Sequence, residues 1–426
     1  MNMNATDKTA ERIRDRQHSR LSALMRDRVI ARLRSLEHGC LVISDGLETI
    51  QLGNGKDELN ARVTVHDQAF WRLMATGGSV GAAEAYMAGL WDSPDLVAVV
   101  RIMARNRDLL ERVDSGSARL SGWLLGLWHR FNRNSLKGSR RNIAAHYDLG
   151  NEFFATWLDE SMMYSSALYL NPEETLEQAQ FNKLERLCRK LDLGSEDHLL
   201  EIGSGWGALA VHAASRYGCR VTTTTISRRQ YEATLKRVTE AGLDDRVEVL
   251  MSDYRDLEGR YDKLVSVEMI EAVGHQYLDT YLQRIDHLLK PDGLAILQAI
   301  TIEDYRYAGA LRSVDFIKRY IFPGSFIPSV STITSAMARS TRLGLIELAD
   351  LGGSYARTLS DWRDRFEAAW NDIAAMGFDD MFRRRWRYYL AYCEGGFSER
   401  AISDVHLLLA GPDYRAPDWT GLTADR

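Results

Sequence analysis

The run from His198 to Asp253 constrains this chain more than any other part of it: HLLEIGSGWGALAVHAASRYGCRVTTTTISRRQYEATLKRVTEAGLDDRVEVLMSD. Leu199, Leu200 and Ile202 read as a buried strand, and Val211 and Ala214 as the apolar face of the helix after it. Gly203, Ser204, Gly205, Trp206 and Gly207 make the corner between them. Glycines there let the backbone pass close to a ligand, and the helix start offers free N–H groups. A second strand (Cys219 to Thr225), a helix from Ser227 and a third strand (Val247 to Met251) follow. Such alternation specifies an α/β fold, a parallel sheet with helices on both faces and the ligand at the carboxyl ends of the strands.

Two nucleotide readings compete for the corner. A dinucleotide site wants G-x-G-x-x-G and an acid closing the second strand. The spacing here is G-x-G-x-G, and the second strand ends in Thr225. The form E-x-G-x-G-x-G, beginning at Glu201, is instead the one that S-adenosylmethionine methyltransferases of the Rossmann-like class I fold carry. Glu201 at its strand end then faces the methionine ammonium through the turn. An ordinary glycine-rich strand–helix corner explains the segment too, and the motif by itself names no substrate.

A chain of 426 residues is long for one core, so two units are expected. A net charge of −5 argues against a general nucleic-acid binder. No apolar run approaches the ~20 residues that span a bilayer, and the polar start has no apolar signal core. Cys40, Cys188, Cys219 and Cys393 show no paired spacing, so neither a metal site nor a disulfide framework is implied. A reduced, cytoplasmic setting fits.

Glu11 to Leu36 is arginine-dense, with Leu21, Leu24, Met25, Val29, Leu33 and Leu36 at near-helical spacing. This basic amphipathic helix either packs on its own domain or meets anionic lipid headgroups. Cys40 to Ile50 and Ala61 to Val65 alternate like strands, and Gln68 to Leu90 returns to helix. Residues 1–128 therefore read as a smaller mixed α/β domain without a catalytic constellation. Residues 129–141, basic and polar, read as a linker, and 142–426 as the catalytic domain.

Arg141 to Tyr169 crowds His146, Tyr147, Asp148, Asn151 and Tyr164 among aromatics and methionines. His146-Tyr147-Asp148-Leu149-Gly150-Asn151, with Tyr164-Ser165 shortly after, strongly resembles the cyclopropane-fatty-acyl-phospholipid synthases and mycolic acid cyclopropane synthases. Further blocks follow in the order of that family: LLEIGSGWG, Thr225 to Gln230, Asp253-Tyr254, YDKLVSVEMIEAVG with Glu271, Ile317 to Gly324, and YYLAYCEGGF with Cys393. The resemblance covers about residues 135–410. It implies S-adenosylmethionine as cosubstrate, held by Tyr164, Ser165, Glu201, Gly203, Ser204, Gly205, Gly207, Thr225, Ser227, Gln230, Asp253 and Tyr254. Gln230 is the residue that meets the ribose.

An isolated cis double bond is a poor nucleophile, so a sulfonium must be held in line with it in a dry slot. The cation formed needs aromatic faces, carboxylate and a base. In the family that base is thought to be bicarbonate. Carried over, Glu271 and Tyr355 match side chains around it, and Ile300 matches a backbone contact. Ser166 stands where the family has cysteine, through its backbone amide, and Gln298 where it has histidine. The glutamine keeps a donor and loses a titrating group. Proton loss from the transferred methyl closes a cyclopropane, and other losses give branched chains, which relatives also make.

Glu268, three residues before Glu271, reads as a helix-start carboxylate, and Glu271 as the catalytic one. Cys393 aligns with a family cysteine treated as active, yet no cation sits beside it to make a thiolate. His146 is expected to orient its loop, and His275 to pack at a helix start. Trp362, Phe366 and Trp370 form one helical stripe, either core or acyl-tunnel lining. The resemblance further implies a homodimer that contacts the inner membrane face peripherally and modifies unsaturated acyl chains of phospholipid. A methyltransferase for a soluble small molecule and an inactive membrane-bound relative are the competing readings.

Overall fold

The computed structural model describes residues 22–53, 58–108 and 149–415, so His146, the 129–141 segment and the tail after Arg415 lie outside it. The chain divides into two compact units. The first gathers residues 1–128, 313–317 and 377–399, and the second takes 129–312, 318–376 and 400–426.

Within the first unit, β1 (Cys40–Ser44), β2 (Thr49–Gly53), β3 (Asn60–Val65) and β4 (Trp91–Asp92) form a sheet in the order β2-β1-β3-β4. Cys40 to Ile50 thus divides into β1, a turn and the start of β2. β3 alternates exposed and buried residues without a slip, as a sheet with one solvated face demands. The described part of the arginine-dense helix, 22–33, buries Val29, Ile30 and Leu33. Its Arg26 turns inward, donating to Asp45 at 2.5 Å and Glu48 at 2.7 Å, so this stretch packs on its own unit. Residues 11–21 of the expected helix are outside the described residues.

Helix Asp380–Ser398, late in the chain, completes this unit. A Cβ on Gly395 would lie 2.6 Å from Val100 Cγ1, so glycine is what lets that helix press against Leu96–Arg105. Glu399 accepts from Arg101 and Arg105, each at 2.6 Å, and Arg384 donates to the Tyr86 and Trp91 carbonyls and to Asp92.

The second unit is built on seven strands: β5 (His198–Ile202), β6 (Arg220–Thr224), β7 (Val247–Leu250), β8 (Tyr261–Val267), β9 (Leu289–Ile302), β10 (Gly344–Asp350) and β11 (Ile402–Ala410). Their order is β10-β11-β9-β8-β5-β6-β7. β7, β6, β5, β8 and β9 run parallel, and β11 is antiparallel to both β9 and β10. Leu200 and Ile202 pack into one apolar layer and Leu199 into the other. Both faces of β5 are therefore covered, which is why the strand reads as a continuous apolar run. This is the expected doubly covered sheet of class I methyltransferases.

Register matters for the site. β11 pairs with β9 so that His406 lies opposite Gln298 and Asp404 opposite Ile300. No described helix is long and apolar enough to cross a membrane, and all four cysteines are free.

Candidate active site

The corner after β5 takes the form its glycines require. Gly203, Gly205 and Gly207 have φ of 99°, 50° and 85°, a region that side chains with a Cβ rarely enter. The amides of Gly203 and Ser204 both donate to Thr224 O, tying the corner to the end of β6. Glu201 is buried and accepts from Thr223 Oγ1 at 2.5 Å; burial pushes its carboxyl up to about 8. An ammonium brought against it restores the charged form.

Beyond β6, Ser227 caps helix Arg228–Glu240 by accepting from the Gln230 amide. Thr225 Oγ1 donates to Gln230 Oε1 at 2.9 Å and accepts from the Ser227 amide at 3.1 Å. Gln230 thereby has its carbonyl oxygen fixed and its amide nitrogen left to donate. Asp253 accepts from the Arg255 amide and guanidinium, and the buried Tyr254 hydroxyl has no partner. Positive-φ glycines, a buried acid, an oriented amide and an unpaired hydroxyl fit an aminoacyl-nucleoside lying across the strand ends.

The block around Asn151 reaches the same corner. Trp206 Nε1 donates to Asn151 Oδ1 at 2.9 Å, and the Trp206 ring lies 5.2 Å from that of Phe154. Tyr164 stacks among Phe154, Trp157 and Trp362 with centroids 5.3, 5.6 and 5.3 Å away. Trp362 and Phe366 are fully buried there, so that much of the stripe is core, and Trp370 begins a new helix after a break at Ala369.

The acid site lies where β8 ends. A Cβ on Gly203 would come within 3.4 Å of Met269, so the glycine corner and the Glu268–Glu271 turn are neighbours. Glu268 continues the ladder by donating its amide to Gln298 O at 2.9 Å, then turns the chain at φ 47°, unusual for a residue with a long side chain. That turn aims its carboxylate at a ring of donors. Oε1 accepts from the Ser166 amide at 2.8 Å and from Gln298 Nε2 at 2.9 Å, and Oε2 accepts from the Tyr355 hydroxyl at 2.8 Å.

Helix Gly352–Ala368 sets this ring by gripping the segment that carries Ser166. Ser354 Oγ accepts from the Tyr169 amide and Thr358 Oγ1 from the Ala167 amide, on either side of Tyr355. β11 fixes the glutamine: Gln298 Nε2 also donates to Asp404 Oδ2 at 2.8 Å, and His406 Nε2 lies 3.1 Å from its Oε1. Burial holds the His406 imidazole far below its usual pKa, so it is the neutral donor here.

Glu271 is close but differently held. Its Oε1 accepts from the Ile300 amide at 2.5 Å, while Oε2 is buried without a partner. Burial, with Glu268 adding repulsion, raises this carboxyl to about 8.

The structure groups these residues differently from the sequence reading. Ser166, Gln298 and Tyr355 do converge, but on Glu268, taken above as a helix-start carboxylate, and not on Glu271. Those three donors and the Ile300 amide are the contacts assigned to bicarbonate, and protein carboxylates occupy all four. Cys393 belongs to helix Asp380–Ser398 of the other unit, and burial pushes its thiol far up, which disfavours the thiolate. His275 is exposed on a 3-10 turn beside Phe326. His146 lies outside the described residues. Reading the sequence missed Lys183, Asp404 and His406. They occupy an ordinary helix and an ordinary strand, and only the sheet order and packing bring them together.

Residues 134–407 match the family described as mycolic acid cyclopropane synthetase. The chain is 38% identical to the tuberculostearic acid methyltransferase UfaA1 of Mycobacterium tuberculosis, over 87% of this chain and 88% of that one. It is 36% identical to the cyclopropane-fatty-acyl-phospholipid synthase of Escherichia coli, over 80% and 86%. Among solved structures, the cyclopropane synthase MmaA2 of M. tuberculosis superposes with a TM-score of 0.60 at 28% identity, over 64% of this chain and 98% of that one. With the glycine corner, the reversed β11 and the buried acid turn in place, the chain belongs to the mycolic acid cyclopropane synthetase family of S-adenosylmethionine-dependent methyltransferases.

Proposed function

We propose that this protein transfers a one-carbon unit from S-adenosylmethionine to the cis double bond of an unsaturated acyl chain in membrane phospholipid, with Glu268 as the base. The observation that carries the reading is the carboxylate of Glu268 held by Ser166, Gln298 and Tyr355 beside the glycine corner.

When bound, S-adenosylmethionine supplies an electrophilic methyl, whose C–S electrons leave with sulfur as the alkene pair forms the new C–C bond. Glu201, the glycine corner and Gln230 hold the donor, and Tyr164 with the surrounding rings keeps the slot apolar. The substrate is left with a carbon cation. Glu268, anionic and fixed on three donors, stabilises that charge and accepts the proton whose C–H pair closes the product. Direct loss from the transferred methyl closes a cyclopropane. Loss from it after a hydride has moved to the cationic carbon leaves a methylene branch.

The cyclopropane is the first reading. The branch is the second, supported by the similarity to UfaA1, by name a tuberculostearic acid methyltransferase. A homodimer in peripheral contact with the inner membrane face completes the proposal.

The test is incubation with unsaturated phospholipid vesicles and methyl-labelled cofactor, with and without added bicarbonate. Label in the acyl chain supports the reading, and label only in a soluble product rejects it. Turnover independent of bicarbonate and lost in Glu268→Gln, with cofactor binding retained in calorimetry, assigns the base. The two products are isomers, and proton NMR separates a ring CH2 from an olefinic one.

A further inference from the structure

Helix Leu176–Lys190 carries one side chain that its sequence gives no reason to single out. Lys183 is fully buried, yet its ammonium makes one hydrogen bond, 2.6 Å to Ser165 Oγ. A buried ammonium with donors to spare is costly unless charge compensates it. The compensation comes from carboxyls on three other segments: Glu268 at the end of β8, Asp404 on β11 and Asp159 in the loop after helix Asn151–Ala155. The residue Lys183 grips adjoins Ser166, whose amide donates to Glu268, so the cation and the base share one short piece of backbone.

The charges around this point can be counted. Burial raises Glu268, Glu271 and Asp404 alike; Glu268 adds to the rise of the other two, while Lys183 opposes it at Glu268 and Asp404 and three hydrogen-bond donors oppose it at Glu268. The other groups nearby do not take over its role. His406 is neutral, and the Tyr355 hydroxyl is a donor. Arg186 and Lys190, on the same helix, pair with Glu347. Arg237 is spent on the carbonyls of Glu160 and Ser161. With Asp159, whose Oδ2 accepts from the Ser161 amide, the cluster holds one ammonium among four carboxyls, and one anion balances it. Glu268 accepts from three donors, Glu271 from the Ile300 amide and Asp404 from Gln298, so the anion sits on Glu268. Asp404 Oδ1, Glu271 Oε2 and Asp159 Oδ1 are buried without partners, the oxygens of the cluster least suited to carry charge.

We propose that Lys183 is the positioning residue of this active site, a buried counter-ion that keeps Glu268 ionised while Glu271 and Asp404 stay protonated. The proposal rests on Glu268 being the base. It gives the site one proton acceptor per turnover, with the two neighbouring acids neutral and unable to compete for the same proton. Burial itself brings the Lys183 ammonium down to about 8, so the arrangement also limits how alkaline the working range is.

The experiment compares pH profiles of kcat/KM for the wild type, Lys183→Met and Lys183→Gln on unsaturated phospholipid vesicles. Cofactor binding is followed in parallel by calorimetry. Without the ammonium, Glu268 ionises less readily, so the rising acid limb moves up by about one pH unit or more, a loss of about tenfold at fixed pH on that limb. Activity returns at higher pH, and cofactor affinity stays within a few-fold. A uniform loss at every pH, with the limb unmoved, overturns the proposal and leaves Lys183 a packing residue.

Should both variants fail to fold, infrared absorption of protonated carboxyls in the folded enzyme decides. Glu271→Gln and Asp404→Asn each diminish the wild-type band. No diminution in either shows that these acids are already ionised and overturns the assignment. Full turnover by Glu268→Gln would instead reject the base itself, an outcome separate from any result at Lys183.

Discussion

Two carboxyls in this unit titrate near neutrality for one reason: they are buried with too few donors. Glu201 and Glu271 each rise to about 8, against about 4.5 in an unfolded chain. In the interval between those values the folded protein holds protons that the unfolded chain has released. Unfolding then releases protons, so these two groups make stability fall as pH rises from about 4.5 to about 8 and contribute no slope above that, where Lys183, lowered to about 8, acts in the opposite sense. The lowered carboxyls, among them Asp45, Glu177 and Glu185, titrate below this window. His198 and His212, pulled down by burial, act in the opposite sense below about 6.5. The clean measurement is therefore a difference. Glu271→Gln, neutral at every pH, should flatten the decline by a few kcal/mol relative to the wild type in urea denaturation between pH 5 and 8.5. An unchanged slope would mean that Glu271 is already ionised in the folded state.

At the scale of elements, the cofactor corner and the acid turn differ in how far they could be read in advance. The corner was legible because glycine is a direct signature of backbone shape, and the strand and helix beside it carry unmistakable apolar patterns. Gly207 is the strictest of the three. A Cβ there would lie 2.8 Å from Thr234 Cγ2 at φ 85°, whereas at Gly205 it would meet nothing within 4 Å. Gly207→Ala should cost about 1–3 kcal/mol and weaken cofactor binding, and Gly205→Ala should carry only the backbone penalty of about 1 kcal/mol. Urea denaturation and calorimetry on the two variants check the order, and equal losses would show that Thr234 gives way.

The acid turn was legible only in part. Ser166, Gln298, Tyr355, Ile300 and Glu271 were found through resemblance, but Glu268, on which the first three converge, was passed over. Nothing in VEMIE announces that Glu268 adopts a positive φ and swings its carboxylate toward the β9–β11 ladder. Asp404 and His406 enter through a strand register, which no local pattern encodes.

At the scale of the whole molecule, order in sequence and membership of a compact unit diverge. The first unit takes residues 377–399 from far along the chain, and the second closes its sheet with β11 from 402–410. The helix Asp380–Ser398 is no peripheral addition. Phe382, Trp386, Tyr389 and Phe397 are buried along it, and Glu399 accepts from both Arg101 and Arg105. The Tyr388 ring lies tilted 5.6 Å from that of Tyr86 and edge-on 4.8 Å from that of Phe316, joining all three pieces of the unit. A fragment of residues 1–128 would leave Tyr86, Val100 and the apolar face of Leu96–Arg105 in water and its two arginines without their carboxylate. Each large side chain so exposed forfeits about 1.5–3 kcal/mol, and the sum over a few such residues approaches the stability of an ordinary domain. Expressed alone, residues 1–128 should therefore show no cooperative thermal transition and little dispersion of amide resonances. Joined through a short linker to residues 377–399, the same fragment should regain both. Cooperative melting of 1–128 by itself would show that the late helix merely decorates a finished domain.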